Sequence, residues 1–412
     1  MTTAVSTSPR VEATAARVVS LDIFRGLTMA VMIFVNALAD VHGLPWWTYH
    51  AHASEDRMTY VDMVYPFFLF IVGMSIPLSV NQRLRRNASQ AALWLHVLVR
   101  AASLIVIGLI LANAEKADPS RMPIGGYLWG LIGLLGAALY LNIYPKSERF
   151  PAYSKILRGI GLAAVIFIYA IFRRTTHSGQ AGWIDPSYPE ILGLIGFTYL
   201  AVSVLYIPTR RWKWSAAIWF LVLLIFNILS TAKLVPLPGR LPMYVFPFDN
   251  GAMASLIMAG VVASQIFLGA SPGITPRPAP KQAMTAAISL GIVALIAGWI
   301  CTPLGISKIR ATPTWTLWSI GAAILLFTFL YWLCDVKRQT SWAFLLKPAG
   351  SNALLTYLLP DLWFFLLGTL GITYLDTHLS LGWPAVAKTV VFTLVMLTFA
   401  SLLTKVKVRL QL

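Results

Sequence analysis

A chain of 412 residues that is 58% hydrophobic and only 11% charged, with a mean hydropathy of +0.73, is far from a soluble globular domain, where about 25% of residues are charged. This excludes a sizeable soluble domain and indicates a polytopic membrane protein. The formal charge of +17 does not point to nucleic acid, because the basic residues lie in small groups between apolar segments, as they do where they orient membrane helices.

Residues 1–17, rich in Ser, Thr and Ala with Arg10 and Arg17, read as a disordered cytoplasmic tail. Residues 18–412 read as one transmembrane domain. The first apolar stretch is expected to stay as a membrane helix, since Asp22 and Arg25 interrupt it and no small-residue cleavage site follows promptly. A span needs roughly 20 mostly apolar residues. Candidates are 21–41, 60–81, 91–112, 125–144, 156–172, 189–207, 214–231, 251–269, 283–302, 315–334, 351–371 and 384–404. The fifth is short, so the expected fold is an all-α bundle of eleven or twelve membrane helices in a lipid bilayer.

Lysines and arginines favour one set of connecting segments about two to one. This places both termini in the cytoplasm and the loop with His50 and His52 outside, in a plasma (inner) membrane. Cys301 and Cys334 fall in apolar segments, without the spacing of a disulfide framework or a metal site. No metal is expected.

The stretch from Tyr49 to Val80 concentrates the chemistry. A polar loop with His50 and His52 runs into a span carrying Asp62 and Pro66, and an ionisable group in an apolar span is a functional candidate by default. Pro66 has no N–H, so one turn back the carbonyl of Asp62 is left without its helical partner. The plain alternative is a kinked helix with a packed polar kink. The functional reading makes His52 a base oriented and charge-stabilised by Asp62, with His50 second in line. Asp22 and Arg25, three apart, share a helix face. They are either an ion pair ending the span or an inner-mouth site whose guanidinium meets phosphate oxygens. Asn36 lies eleven residues beyond Arg25, ~16 Å along the helix. It is either glue between helices or a group that holds a carbonyl oxygen.

Ser20-Leu-Asp-Ile-Phe-Arg-Gly26, Met32-Ile-Phe-Val-Asn36, His52-Ala-Ser54 and Thr59-Tyr-Val-Asp-Met-Val-Tyr-Pro-Phe-Phe-Leu-Phe70, in that order, resemble the heparan-α-glucosaminide N-acetyltransferase family of polytopic membrane acetyltransferases. Lys308 after Pro303 is similar to the family's outer lysine, and Gly350-Ser-Asn352 with Tyr357 is similar to a later segment. The pattern departs at Phe248-Asp249-Asn250-Gly251 and at Asp361. The resemblance implies acetyl-CoA as donor from the cytosolic side and an amino-sugar glycan as acceptor on the far side. It carries the active histidine onto His52 with Asn36 nearby, and leaves Lys308, Asn352 and His50 as substrate-binding candidates.

The expected mechanism lodges coenzyme A near Arg25 and Asp22 and threads its arm up a channel to His52. His52 takes the proton of the attacking amine, and Asn36 or a backbone N–H holds the oxyanion. An acetyl-histidine intermediate and direct transfer both fit. Competing readings are a transporter or flippase of a sugar or lipid and a glycan O-acyltransferase of the same architecture. A homodimer is among the partners the sequence admits.

Overall fold

The computed structural model describes residues 18–86, 88–145, 152–176, 178–236, 250–269 and 276–411. The expected tail, and Phe248 and Asp249, lie outside them. In a bilayer each backbone polar group must be satisfied within the chain, which leaves the helix as the structure of every apolar run. The helices are α1 (Val19–Leu38), α2 (Val64–Arg85), α3 (Gln90–Ala114), α4 (Gly126–Leu141), α5 (Tyr153–Ile171), α6 (Glu190–Thr209) and α7 (Ser215–Thr231). They continue with α8 (Ala252–Leu268), α9 (Pro280–Ile300), α10 (Pro313–Tyr331), α11 (Leu346–Ser351), α12 (Ala353–Leu370), α13 (Tyr374–His378) and α14 (Gly382–Lys405). A two-residue hairpin, β1 (Arg174–Thr175) with β2 (Ala181–Gly182), lies between α5 and α6.

Among the described residues nine helices are long and apolar enough to cross a membrane, and α4, α7 and α8 are shorter apolar helices. These twelve coincide with the twelve predicted spans to within a few residues at each end. The chain is an all-α polytopic membrane protein.

Burial separates the inner helices from the lipid-facing ones. In the most apolar stretches of α2 and α6, 67% of residues are buried, against 11% in α5. The short α8 is buried nearly all round, so it needs no polar face. It packs on α2 through two glycines. A Cβ on Gly73 would sit 1.8 Å from the carbonyl oxygen of Ile257, and one on Gly260 would sit 2.0 Å from that of Phe70. Helices of membrane proteins use such small residues to bring backbones together where no hydrophobic force drives them. Gly26 and Gly350 do the same for α1 and α11, with hypothetical Cβ contacts of 1.9 Å to Leu346 and 1.8 Å to Asp22 backbone oxygens. A stack of Phe24, Phe70, Phe267 and Phe327 joins α1, α2, α8 and α10, with ring centroids 4.9 to 6.4 Å apart. After α10 the helix loosens into a π turn, Trp332–Val336. Asp335 in that turn accepts the N–H groups of Val19 and Ser20 at 3.2 and 2.9 Å, capping the start of α1 with a negative charge.

Candidate functional site

Tyr49 shapes the loop between α1 and α2. Its hydroxyl donates to the Val41 carbonyl at 2.8 Å and accepts the Leu44 N–H at 3.2 Å, while its own carbonyl accepts the Thr59 hydroxyl at 2.9 Å. The loop therefore folds back over the start of α2 and sets His50 above it. Thr59 caps a 3₁₀ turn, Tyr60–Met63, that leads into α2. Asp62, in third position, returns its Oδ2 to the Thr59 N–H at 3.0 Å, the reciprocal arrangement of a capping box. Its Oδ1 meets His50 Nδ1 at 2.7 Å. Asp62 is 1% exposed, so the imidazole N–H is the partner that makes its burial tolerable. Pro66 leaves the Asp62 carbonyl without a helical donor, as expected, and the buried Trp315 indole N–H fills the position at 3.0 Å.

A second loop, between α9 and α10, brings Lys308 to the same place. Its Nζ lies 3.5 Å from both ring nitrogens of His50. Ala311 holds a left-handed φ of +48°, a conformation that persists only where its surroundings over-determine it. Here the Ala311 carbonyl accepts the side-chain amides of Asn227 at 3.0 Å and Asn250 at 2.8 Å. Across the top, the Asp56 carboxylate takes the Arg310 guanidinium and the Ile306 N–H at 3.2 Å, tying the lysine loop to the histidine loop. The hydrogen bond from Arg310 holds the Asp56 carboxyl below the usual carboxylate range. Burial pushes the Lys308 ammonium below an ordinary lysine, with Asp62 pulling the other way.

Asn36 and Met32 of α1, His50, Tyr65, Ile191 and Lys308 line one narrow pocket. Next to Ile191, Glu190 starts α6 with a φ of +58°. Its carboxylate accepts the Tyr357 hydroxyl at 3.0 and 3.2 Å and the Leu192 N–H at 3.0 Å. Sequence reasoning passed over Glu190. The available signal was an acid directly after Pro189, inside the predicted span 189–207.

The structure brings His50, Asp62, Asn36 and Lys308 together and leaves other candidates elsewhere. His52 is exposed, and Asp62 is not its partner. The Glu55 N–H closes a turn onto the His52 carbonyl at 3.0 Å, which carries residue 52 away from the aspartate. The His52 N–H itself goes to the Glu55 carboxylate at 3.0 Å. Arg25 and Asp22 pair at 3.3 Å. Arg25 also donates to the Gly350 carbonyl at 3.1 Å and the Ser75 hydroxyl at 3.0 Å, so it ties α1 to α2 and α11. It lies towards the opposite end of α1 from Asn36 and does not line the pocket, and the α1 residues between include the buried Met29 and Ile33. Asn352 is 2% exposed and clamps the C-terminal segment: its amide donates to Thr404 Oγ1 at 2.9 Å and the Val408 carbonyl at 2.8 Å, and its Oδ1 accepts the Leu410 N–H at 3.1 Å. Its polar atoms are thus engaged with the C-terminal segment, and it does not line the pocket of His50. Beside Gly350, an open basic cavity of about 550 Å³ is lined by Lys347, Ser351, Ser401, Thr404, Lys405 and Arg409. Among the described residues no group of three or more His, Cys, Asp or Glu is placed to hold a metal ion.

The fold and the pocket define a polytopic membrane protein with a histidine–carboxylate pair at one mouth of its helix bundle. Residues 17–117, which hold α1, α2 and that pair, match the family model for the catalytic region of heparan-alpha-glucosaminide N-acetyltransferase. The chain is 39% identical to the heparan-alpha-glucosaminide N-acetyltransferase of Homo sapiens over 134 residues, 32% of this chain and 19% of the human one. To that of Mus musculus it is 39% identical over 129 residues, covering 31% and 18%. The match thus spans about a fifth of the curated relatives' length. It bears out the resemblance read from Ser20 to Phe70.

Proposed function

We propose that the protein transfers an acetyl group from acetyl-CoA to the amine of a glucosamine-type sugar, and that His50 is the base. The observation that carries this is one pocket in which a histidine bound to a buried aspartate faces an ammonium and an amide, on the stretch that resembles an N-acetyltransferase.

With Nδ1–H held by Asp62, the His50 lone pair is on Nε2, which receives the proton once the Lys308 ammonium, 3.5 Å away, turns to the substrate. The sugar amine attacks the thioester carbonyl carbon, and its proton passes to Nε2. The carbon–sulfur bond then breaks, and the proton leaves with the thiolate of coenzyme A. Asp62 stabilises the imidazolium during this passage, as the third member of a triad does. The carbonyl oxygen gathers negative charge as the bond forms, and the Lys308 ammonium and Asn36 amide are the donors within reach of it. Donors pre-set for developing charge are commonly the largest contribution to such catalysis.

The Asn36 mouth is assigned to the extracytoplasmic side and the basic end of the bundle to the cytosol, following the excess of positive charge there. Coenzyme A phosphates fit the cavity of Lys347, Lys405 and Arg409 better than Arg25, whose guanidinium is engaged three ways. Passage of the arm to His50 then requires α1 and its neighbours to part.

The test incubates purified protein with acetyl-labelled acetyl-CoA and a panel of glucosamine and N-acetylglucosamine glycans. Label is expected on free-amine sugars. Sugar uptake into proteoliposomes without acetyl-CoA, with no label transferred, would overturn the enzyme in favour of a transporter.

A further inference from the structure

At the end of the bundle away from His50, α2, α3 and α6 gather positive charge that the proposed reaction does not use. Arg83, in the last turn of α2, lies 19 residues beyond Val64, ~28 Å along the helix. Its Nη2 is 2.9 Å from Nδ1 of His96 on α3. A guanidinium only donates, so Nδ1 is the acceptor and His96 carries its proton on Nε2. That Nε2, and the Nε of Arg100 one turn further along α3, are buried with no hydrogen-bond partner among the described residues. The Arg100 guanidinium lies 4.8 Å over the ring of Tyr199 on α6. Arg86 follows at the end of α2. The salt bridges of the described residues involve none of these three arginines.

Uncompensated guanidinium charge among apolar helices is costly, and intramembrane charges are paired or functional. A carboxylate is not supplied by the described residues, so an anion from outside the chain is the natural complement. We propose that Arg83, His96, Arg100 and Tyr199 form a site for a phosphate group. Two guanidinium forks match phosphate oxygens in a way that an ammonium does not, and the buried His96 Nε2–H supplies a further donor. Leu95, Leu98 and Val99 on the same stretch of α3 are exposed, which places an apolar, lipid-facing surface next to the charges. That juxtaposition favours the headgroup of an anionic lipid, whose acyl chains lie along α3, with basic pockets between helices as the general mode. The same phosphate chemistry is present in coenzyme A, which supplies the second arm of the test.

The full chain, purified in detergent, is examined by native mass spectrometry with phosphatidylglycerol and with phosphatidylcholine, and by equilibrium dialysis with coenzyme A and with pantetheine. The wild-type protein should retain phosphatidylglycerol over phosphatidylcholine. Arg83→Gln and Arg100→Gln should each weaken that retention by roughly tenfold, the scale of a lost charge-assisted hydrogen bond. Arg158→Gln, on the distant α5, should not. If the phosphate belongs instead to coenzyme A, the two variants weaken coenzyme A and leave pantetheine and both lipids unchanged. Equal retention of both lipids by the wild type, together with coenzyme A binding that ignores both substitutions, overturns the site. The wild-type comparison needs no variant to fold, and none of these readouts involves acetyl transfer, so the outcome stands apart from that of the proposed reaction.

Discussion

His50 Nδ1 lies 2.7 Å from Asp62 Oδ1, whereas His52, two residues later, is exposed and held through its backbone, its N–H on the Glu55 carboxylate and its carbonyl on the Glu55 N–H. His50→Ala is therefore expected to lower acetyl transfer by about 10²–10⁴-fold, the usual contribution of a general base. His52→Ala should change it by about twofold or less, as a surface substitution does. Label transfer by the two purified variants decides; loss in His52→Ala with activity retained in His50→Ala would return the role to His52.

Lys308 gives a pH dependence. Burial lowers its folded-state value, so between that value and the ordinary lysine value the unfolded chain binds the extra proton. Stability therefore rises with pH through this window, and the penalty for burying the ammonium is fully present below it. Lys308→Met should flatten that rise in thermal unfolding scans. If the ammonium serves the oxyanion, turnover should fall on the alkaline side below pH ~10.4, the ordinary lysine value. Lys308→Arg should move that limb upwards.

Asn227 and Asn250 both donate to the Ala311 carbonyl. Removing both amides leaves a buried acceptor unpaired, at ~1–3 kcal/mol, and loosens the loop that presents Lys308. The double alanine variant should lose stability on that scale and also lose kcat. A loss of stability with kcat unchanged would mean that the loop's geometry does not serve the reaction.

Gly73→Ala places a methyl group where the Ile257 carbonyl oxygen stands 1.8 Å away. Since the obstacle is backbone, α2 and α8 must separate, and the expected cost is ~1–3 kcal/mol or more. Gly159→Ala, where the added carbon meets nothing within 4 Å, is the control in the same unfolding measurement.

Much of the fold was legible because a bilayer demands long apolar runs, and these survive as helices whatever their partners. The site was legible only in part. Asp62 stood out as a carboxylate in a span, and Pro66 announced a free carbonyl, which Trp315 fills. Which of His50 and His52 meets Asp62 was hidden, because it depends on where a turn closes, and both residues fit the same polar loop. Arg25, Gly26 and Gly350 drew notice as motif residues, yet their contacts lie in the packing of α1 against α11 and, for Arg25, α2. Glu190 drew no notice, and Asn250 only as part of the departing Phe248-Asp249-Asn250-Gly251 segment: their contacts are with Tyr357 and Ala311, 167 and 61 residues away, and no local pattern links them.

The indole of Trp315 grips the carbonyl of Asp62 from 253 positions further down the chain. The alignment of the histidine–carboxylate pair thus depends on α10, which lies outside residues 17–117, the stretch that matches the family's catalytic-region model. Transplanting that stretch alone onto another scaffold should carry over the carboxylate and imidazole but not the anchor that aims them.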